Sequence, residues 1–155
     1  MRHQVELTRV EPLHTAVVRD RISPKELSRF VPAACCEVWS FIRRAGLPTP
    51  GRHLALYLDA AGSIECGVEV SAPYTGNRRI VCSQTPGGLV ATTPHFGPYG
   101  LLAEAHRAVQ KWCSDHGHRM SGVSWELYGH WQEEWNADPS KIRTDVYYLV
   151  QAKEG

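Results

Sequence analysis

The chain has 155 residues, is 43% hydrophobic and carries seventeen basic against sixteen acidic side chains, so a single domain spanning residues 1–155 is the default reading. At this length roughly two thirds of the unfolded surface can be buried, so a stable core requires neither metal nor disulfide. The near balance of charge speaks against a dedicated nucleic-acid binder, in which a basic excess gathers on one face.

Five Trp and six Tyr against three Phe give most of the aromatic side chains a polar tip, a mix suited to half-exposed surfaces and binding sites as well as to cores. The five cysteines, Cys35, Cys36, Cys66, Cys82 and Cys113, form no C-x-x-C pair, and an odd count fits reduced thiols. Residues 1–6 contain no apolar h-region and no stretch approaches the ~18 apolar residues of a membrane span. The expectation is a soluble, untargeted, cytoplasmic protein with no membrane association.

In chain order, residues 5–10 and 14–22 are rich in β-branched side chains and predict two short strands or a bent hairpin around Glu11 and Pro12. Ser23, Pro24 and Glu26 then form a helix start, with Ser at the N-cap, Pro at the first helical position and Glu at the third. Pro32 should kink or restart that helix, because proline removes a backbone donor and clashes one turn back. Beyond it Ala34, Val38, Phe41, Ile42 and Ala45 share one stripe, and Gly46 ends the helix. Residues 54–59 and 65–71 read as a hairpin, 73–79 as a loop, and 80–84 and 89–95 as strands on either side of Pro86, Gly87 and Gly88. A second helix runs from about 100 to 116 on the apolar face of Leu101, Leu102, Ala105, Val109, Trp112 and Cys113, with Gly117 as its cap. The end of the chain reads as a strand over 124–131, a polar loop over 132–141 and a strand over 143–151.

An internal repeat runs through these elements. Gly46, Gly51, Leu56 and Tyr57 recur as Gly117, Gly122, Leu127 and Tyr128 at a constant offset of 71, and Phe41 maps onto Trp112. Both copies follow a strand and a long helix and precede a further strand. The order predicts an α+β fold of two duplicated β-α-β-β halves, about 13–71 and 88–150, related by a pseudo-twofold axis with a central ligand groove between them. At the same offset Ala55 pairs with Glu126, so the two halves differ by a carboxylate.

Glu126 is therefore the first candidate for chemistry. Strand alternation sends Trp125 and Leu127 to one face, expected to pack on the helices, and Glu126 and Tyr128 to the other, expected to face the cleft. By the same parity Tyr57 lies opposite Leu56, and Tyr147 lies opposite Val146 and Tyr148. Glu126, Tyr57, Tyr128 and Tyr147 thus form a candidate aromatic site with one acid, unless Glu126 pairs with a residue such as Arg143 on a solvated sheet face. Trp39, about 100° from Val38 on the first helix, either rims the cleft or enters the core, whereas Trp112 and Tyr148 read as core. His95 and Tyr99 flank the entrance to the second helix, and His95 is either a rim residue or a hydrogen-bonded structural group. Cys113, His116 and His118 straddle a helix end without a matching set elsewhere, so no metal site is assigned. No G-x-S-x-G, P-loop or dinucleotide-binding pattern occurs, and no cofactor is implied.

Trp39 in a Pro-started helix, the run Cys66-Gly67-Val68-Glu69-Val70, Pro86-Gly87-Gly88 before Ala91-Thr92-Thr93, Gly97-Pro98-Tyr99, and Trp125-Glu126-Leu127-Tyr128-Gly129 together resemble the GyrI-like small-molecule-binding family. That family includes effector-binding domains of multidrug-responsive transcription regulators, and the resemblance covers residues 3 to 150. It implies a groove carboxylate at Glu126 that engages cationic aromatic ligands, with Trp39, Tyr57 and Tyr147 able to stack on them. Regulator members also carry a helix-turn-helix domain, for which this chain has no spare length, so the resemblance is to a stand-alone member without direct nucleic-acid binding. The leading expectation is multidrug-type recognition of small, planar, lipophilic and often cationic aromatic molecules, in sequestration or xenobiotic response. Some stand-alone members hydrolyse cyclopropane-bearing, DNA-alkylating natural products, which makes Glu126 a possible general acid or base assisted by Tyr147 or Tyr57. A protein-binding inhibitor of gyrase is the third reading.

Overall fold

The computed structural model describes residues 3–48 and 50–151. Its elements run β1 (Glu6–Val10), β2 (His14–Arg21), α1 (Leu27–Ala45), β3 (His53–Tyr57), β4 (Ser63–Glu69), β5 (Ile80–Gln84), β6 (Gly88–Phe96), α2 (Leu102–Asp115), β7 (Met120–Tyr128), α3 (Glu134–Ala137) and β8 (Arg143–Val150). All eight strands join one antiparallel sheet in the order β1-β6-β8-β7-β3-β4-β2-β5. The mixed α+β architecture is the one expected.

Local signals start and stop the helices. The Glu26 carboxylate accepts hydrogen bonds from the Ser23 hydroxyl and N–H at the turn that leads into α1. Pro32 does not interrupt α1, which is continuous from Leu27 to Ala45. The donor that proline lacks would have reached the carbonyl of Ser28 one turn back, and both residues border an open cavity, where that carbonyl can be solvated. Gly46 and Gly117 end α1 and α2 with φ of +68° and +72°, a conformation that a Cβ disfavours. Leu47 N–H bonds to the Ile42 carbonyl and His118 N–H to the Cys113 carbonyl, the same closing bond at both ends, 71 residues apart.

The helices keep the same correspondence. Ala34, Val38 and Ile42 of α1 and Ala105, Val109 and Cys113 of α2 are all buried and pair at the offset of 71. Phe41 is only half-buried against Tyr74, Ala45 and Leu101 are exposed, and Trp112 sits at the core margin between His116 and His118, so the predicted stripes are narrower than drawn. In the centre of the sheet β3 pairs with β7 so that Ala55 faces Glu126, with His53 opposite Tyr128 and Tyr57 opposite Ser124. Under the offset of 71 the pair Ala55–Glu126 maps onto itself. The pseudo-twofold axis therefore passes between these two residues.

Both faces of the sheet are buried, for different reasons. Residues 85–87 link β5 to β6, and in a flat sheet the six strand spacings between them would need about 28 Å, more than twice what three residues can span. The sheet must curl until its ends meet, and it does so where the 11–13 and 85–87 links cross. There Leu13 N–H donates to Thr85 Oγ1 and Thr85 N–H to the Leu13 carbonyl, each at 2.9 Å. Gly87 permits the crossing, since a Cβ on it would lie 2.7 Å from Pro12 Cδ. Inside the curl Val17, Leu54, Leu56, Val90, Trp125 and Leu127 form a core with no helical residue. The helices cover the outer face, α1 over Val18, Ala55 and Cys66 and α2 over Ala91, Val146 and Tyr148. Each large aliphatic side chain buried in these layers contributes roughly 1.5–3 kcal/mol.

Candidate functional site

Glu126 lies on the helix-bearing face at the centre of the sheet and is 5% exposed. Above it is a cavity of about 680 Å³. Leu27, Val31 and Trp39 of α1 form one wall, and Tyr99 and Leu102 at the entrance to α2 form another. His53, Tyr57 and Tyr128 join Glu126 at the base, and His130 and Trp131 border the mouth. The groove thus lies where the axis crosses the sheet, with residues of α1 on one side and of the entrance to α2 on the other.

The acid is bound on three sides. Its Oε1 accepts from the Tyr57 hydroxyl at 3.1 Å and the Tyr128 hydroxyl at 2.5 Å, and its Oε2 lies 2.6 Å from His106 Nε2. His106 Nδ1 is 2.7 Å from the Tyr148 hydroxyl, which also accepts from Gln110 Nε2 at 2.9 Å. A carboxylate only accepts, which suits three converging donors. Burial, and then the charge of Glu126, push the Tyr57 and Tyr128 hydroxyls well above the usual tyrosine range, so both stay protonated as donors. Burial and the neighbouring His130 hold His53 below the ordinary histidine value, which favours a neutral ring at the cavity wall, where it packs 5.7 Å from Trp39.

Four of the residues named from the sequence, Glu126, Tyr57, Tyr128 and Trp39, border this one cavity. Tyr147 does not. The β7–β8 register sets Tyr147 opposite Trp125 and Val146 opposite Glu126, so Tyr147 points into the curl and stacks on Trp125 at 5.2 Å and 12°. The expectation that Trp125 and Leu127 face the helices is likewise reversed. His95 is 3% exposed on the α2 side, with its ring nitrogens near His3 and the Pro98 carbonyl, and it does not line the groove. Glu126 also pairs with His106 instead of Arg143, which reaches Asp145.

His106 and the hydroxyl of Tyr148 were missed from the sequence. His106 directly follows Ala105 on the flank of the α2 stripe, as Trp39 directly follows Val38 on α1, and the offset of 71 maps it onto Cys35 on the facing wall. That flank position was the available signal. A second depression of about 800 Å³ lies between α2 and the N-terminal segment, bordered by His3, Val5, Trp112 and His116, but its acids Glu6 and Asp115 are exposed and no buried charge converges there. Among the described residues no group of His, Cys, Asp and Glu is arranged to hold a metal ion.

The eight-stranded curled sheet with its paired helices has the fold of GyrI-like domains. Among solved structures it superposes on the EcmrR C-terminal domain with a TM-score of 0.79 at 19% identity, covering 97% of this chain and 99% of that one. SAV2435 bound to tetraphenylphosphonium matches with a TM-score of 0.67 at 10% identity over 96% of this chain and 94% of that one. A hydrolase encoded by lin2189 from Listeria innocua matches with a TM-score of 0.61 at 11% identity, over 96% and 92%. Neither a protein-family model nor a curated protein matches the sequence. Among the described residues no helix is long and apolar enough to cross a membrane.

Proposed function

We propose that the groove binds planar or lipophilic aromatic molecules and favours those that carry a positive charge. The observation that carries this reading is Glu126, a buried acid at the base of a cavity whose other walls are aromatic and aliphatic. Rings such as Trp39 and Tyr57 offer faces to a flat ligand, and a cation over a well-placed ring gains about 0.5–2 kcal/mol. The acid adds charge selection. With few directional groups at the walls, recognition is broad, in keeping with a multidrug-type role in sequestration or drug response. SAV2435, bound to a lipophilic cation in the same fold, supports the reading. Fluorescence titration with an aromatic cationic dye and an uncharged dye of similar size, on wild type and Glu126→Gln, tests it. The cation should lose ten- to a hundredfold in affinity and the uncharged dye less than threefold; equal losses would overturn the assignment.

A second reading is hydrolysis of strained-ring electrophiles. It is favoured by the two tyrosine hydroxyls that share Glu126 Oε1, because protonated phenols beside a carboxylate can stabilise a developing anion while the carboxylate directs water. The hydrolase from Listeria innocua shares the fold. Turnover of a cyclopropyl substrate by wild type that vanishes in Glu126→Gln would support this reading, and absence of turnover at high enzyme concentration would remove it.

A further inference from the structure

His106 does not touch the cavity, yet it is bonded to the acid at its base, with side-chain exposures of 17% for His106 and 7% for Glu126. The groups packed around the pair are Tyr57 from β3, Tyr128 from β7, Tyr148 from β8, Gln110 from α2 itself and, next to Ala55, Cys66 from β4. None of them carries positive charge. Among the described residues that line the cavity, the groups able to become cationic are His53 and His130.

Two hydrogen-bond arrangements satisfy the same heavy atoms. With a neutral ring, Gln110 donates to the Tyr148 oxygen, the Tyr148 hydroxyl donates to Nδ1, and Nε2–H donates to Glu126. With a charged ring both nitrogens donate, the Tyr148 oxygen accepts from Nδ1–H, and its own hydroxyl is released to turn toward its cross-strand neighbour Ser124. One hydroxyl rotation accommodates the proton, so the site holds either charge state without moving a side chain.

We propose that His106 is the internal counter-ion of the groove, a positioning residue that decides which ligand charge Glu126 accepts. Protonated, it neutralises Glu126 and leaves a groove suited to uncharged aromatic molecules. Neutral, it still holds the carboxylate in place through Nε2–H but leaves the negative charge for a ligand cation. Entry of a cation repels the imidazolium and releases its proton to solvent. Affinity for cations therefore rises with pH as the ring gives up its proton, while affinity for neutral ligands stays level. The inference rests on the reading of the groove as an aromatic-cation site.

Calorimetric titration with tetraphenylphosphonium and uncharged triphenylphosphine oxide, at several pH values and in two buffers of different ionisation heat, tests it on wild type, His106→Gln and His53→Gln. Wild type should bind the cation severalfold more weakly at about pH 5.5 than at about pH 8, with up to one proton released per cation at the lower pH. The oxide should change less than twofold. His106→Gln, whose amide can still donate to Glu126, should lose most of the pH dependence and of the proton release, and His53→Gln should retain both. Full pH dependence in His106→Gln, or its loss in His53→Gln instead, overturns the proposal. If His106→Gln fails to fold, Glu126→Gln carries the test, because proton release must disappear with the carboxylate. Cation binding that is equal at every pH overturns this inference alone, whereas no binding of either probe overturns the groove reading together with it.

Discussion

Replacing Glu126 by alanine removes one acceptor and strands three donors, the Tyr57 and Tyr128 hydroxyls and His106 Nε2–H. A buried donor without a partner costs about 1–3 kcal/mol. The groove is open to water on one side, so the lower end applies and the sum is about 3 kcal/mol. For a chain of this size each kcal/mol lowers the melting temperature by about 2–4 °C, which gives a drop of about 6–12 °C. Glutamine separates charge from acceptor geometry. Its carbonyl can accept from both tyrosines, and its amide can donate to His106 Nε2 once the ring proton sits on Nδ1 and donates to the Tyr148 oxygen. Glu126→Gln should therefore stay within about 1.5 kcal/mol of wild type. Thermal and urea unfolding of ligand-free protein measure both variants. The opposing term is desolvation of a carboxylate, which makes many buried acids a net cost. If the alanine variant equals or exceeds wild type in stability, that cost outweighs the three hydrogen bonds and the description of Glu126 as the hub of the groove is wrong.

Two further outcomes follow from the same geometry. Burial pushes the Cys35 thiol up to about 12, so an alkylating reagent at pH 8 should modify exposed Cys36 and Cys82 and spare Cys35 although it borders the groove; peptide mass mapping that finds Cys35 labelled as fast as Cys36 would contradict its burial. Because Tyr147 stacks on Trp125 inside the curl, Tyr147→Phe should leave aromatic-ligand affinity within twofold, whereas Trp39→Ala should cost about five- to thirtyfold, and a larger loss from Tyr147→Phe would place the groove on the wrong face.

Strand parity was enough to group Glu126, Tyr57 and Tyr128, because alternation along a strand is local and the offset of 71 tied Tyr57 to Tyr128. It could not say which face the helices cover. Trp125 and Leu127 on one side and Val146 and Tyr148 on the other are all apolar, since helices bury one face and the curl buries the other. Assigning both pairs to the helices by hydrophobicity left Tyr147 on the wrong side. The cross-strand register Glu126 to Val146 was the missing fact, and it depends on a long-range pairing that no local pattern encodes. His106 was hidden for a related reason: a histidine on a helix flank gains meaning only when the acid that it meets, 20 residues further along, is known to lie beneath it.

The sheet order has one more consequence. β1 precedes β2 in the chain but pairs with β6, and β5 precedes β6 but pairs with β2, so each half places its leading strand on the other half's edge. This is the geometry of a strand-exchanged dimer threaded onto one polypeptide through residues 70–79. In a dimer of identical chains, the position on the twofold would be occupied by the same residue twice, and an acid there would face its own copy at the separation of a cross-strand pair. Two carboxylates so placed cannot both ionise cheaply. Covalent linkage removes that constraint by letting one copy hold Ala55 while the other holds Glu126. A single negative charge on a near-symmetric floor is available to a monomeric chain of this design and closed to its symmetric counterpart.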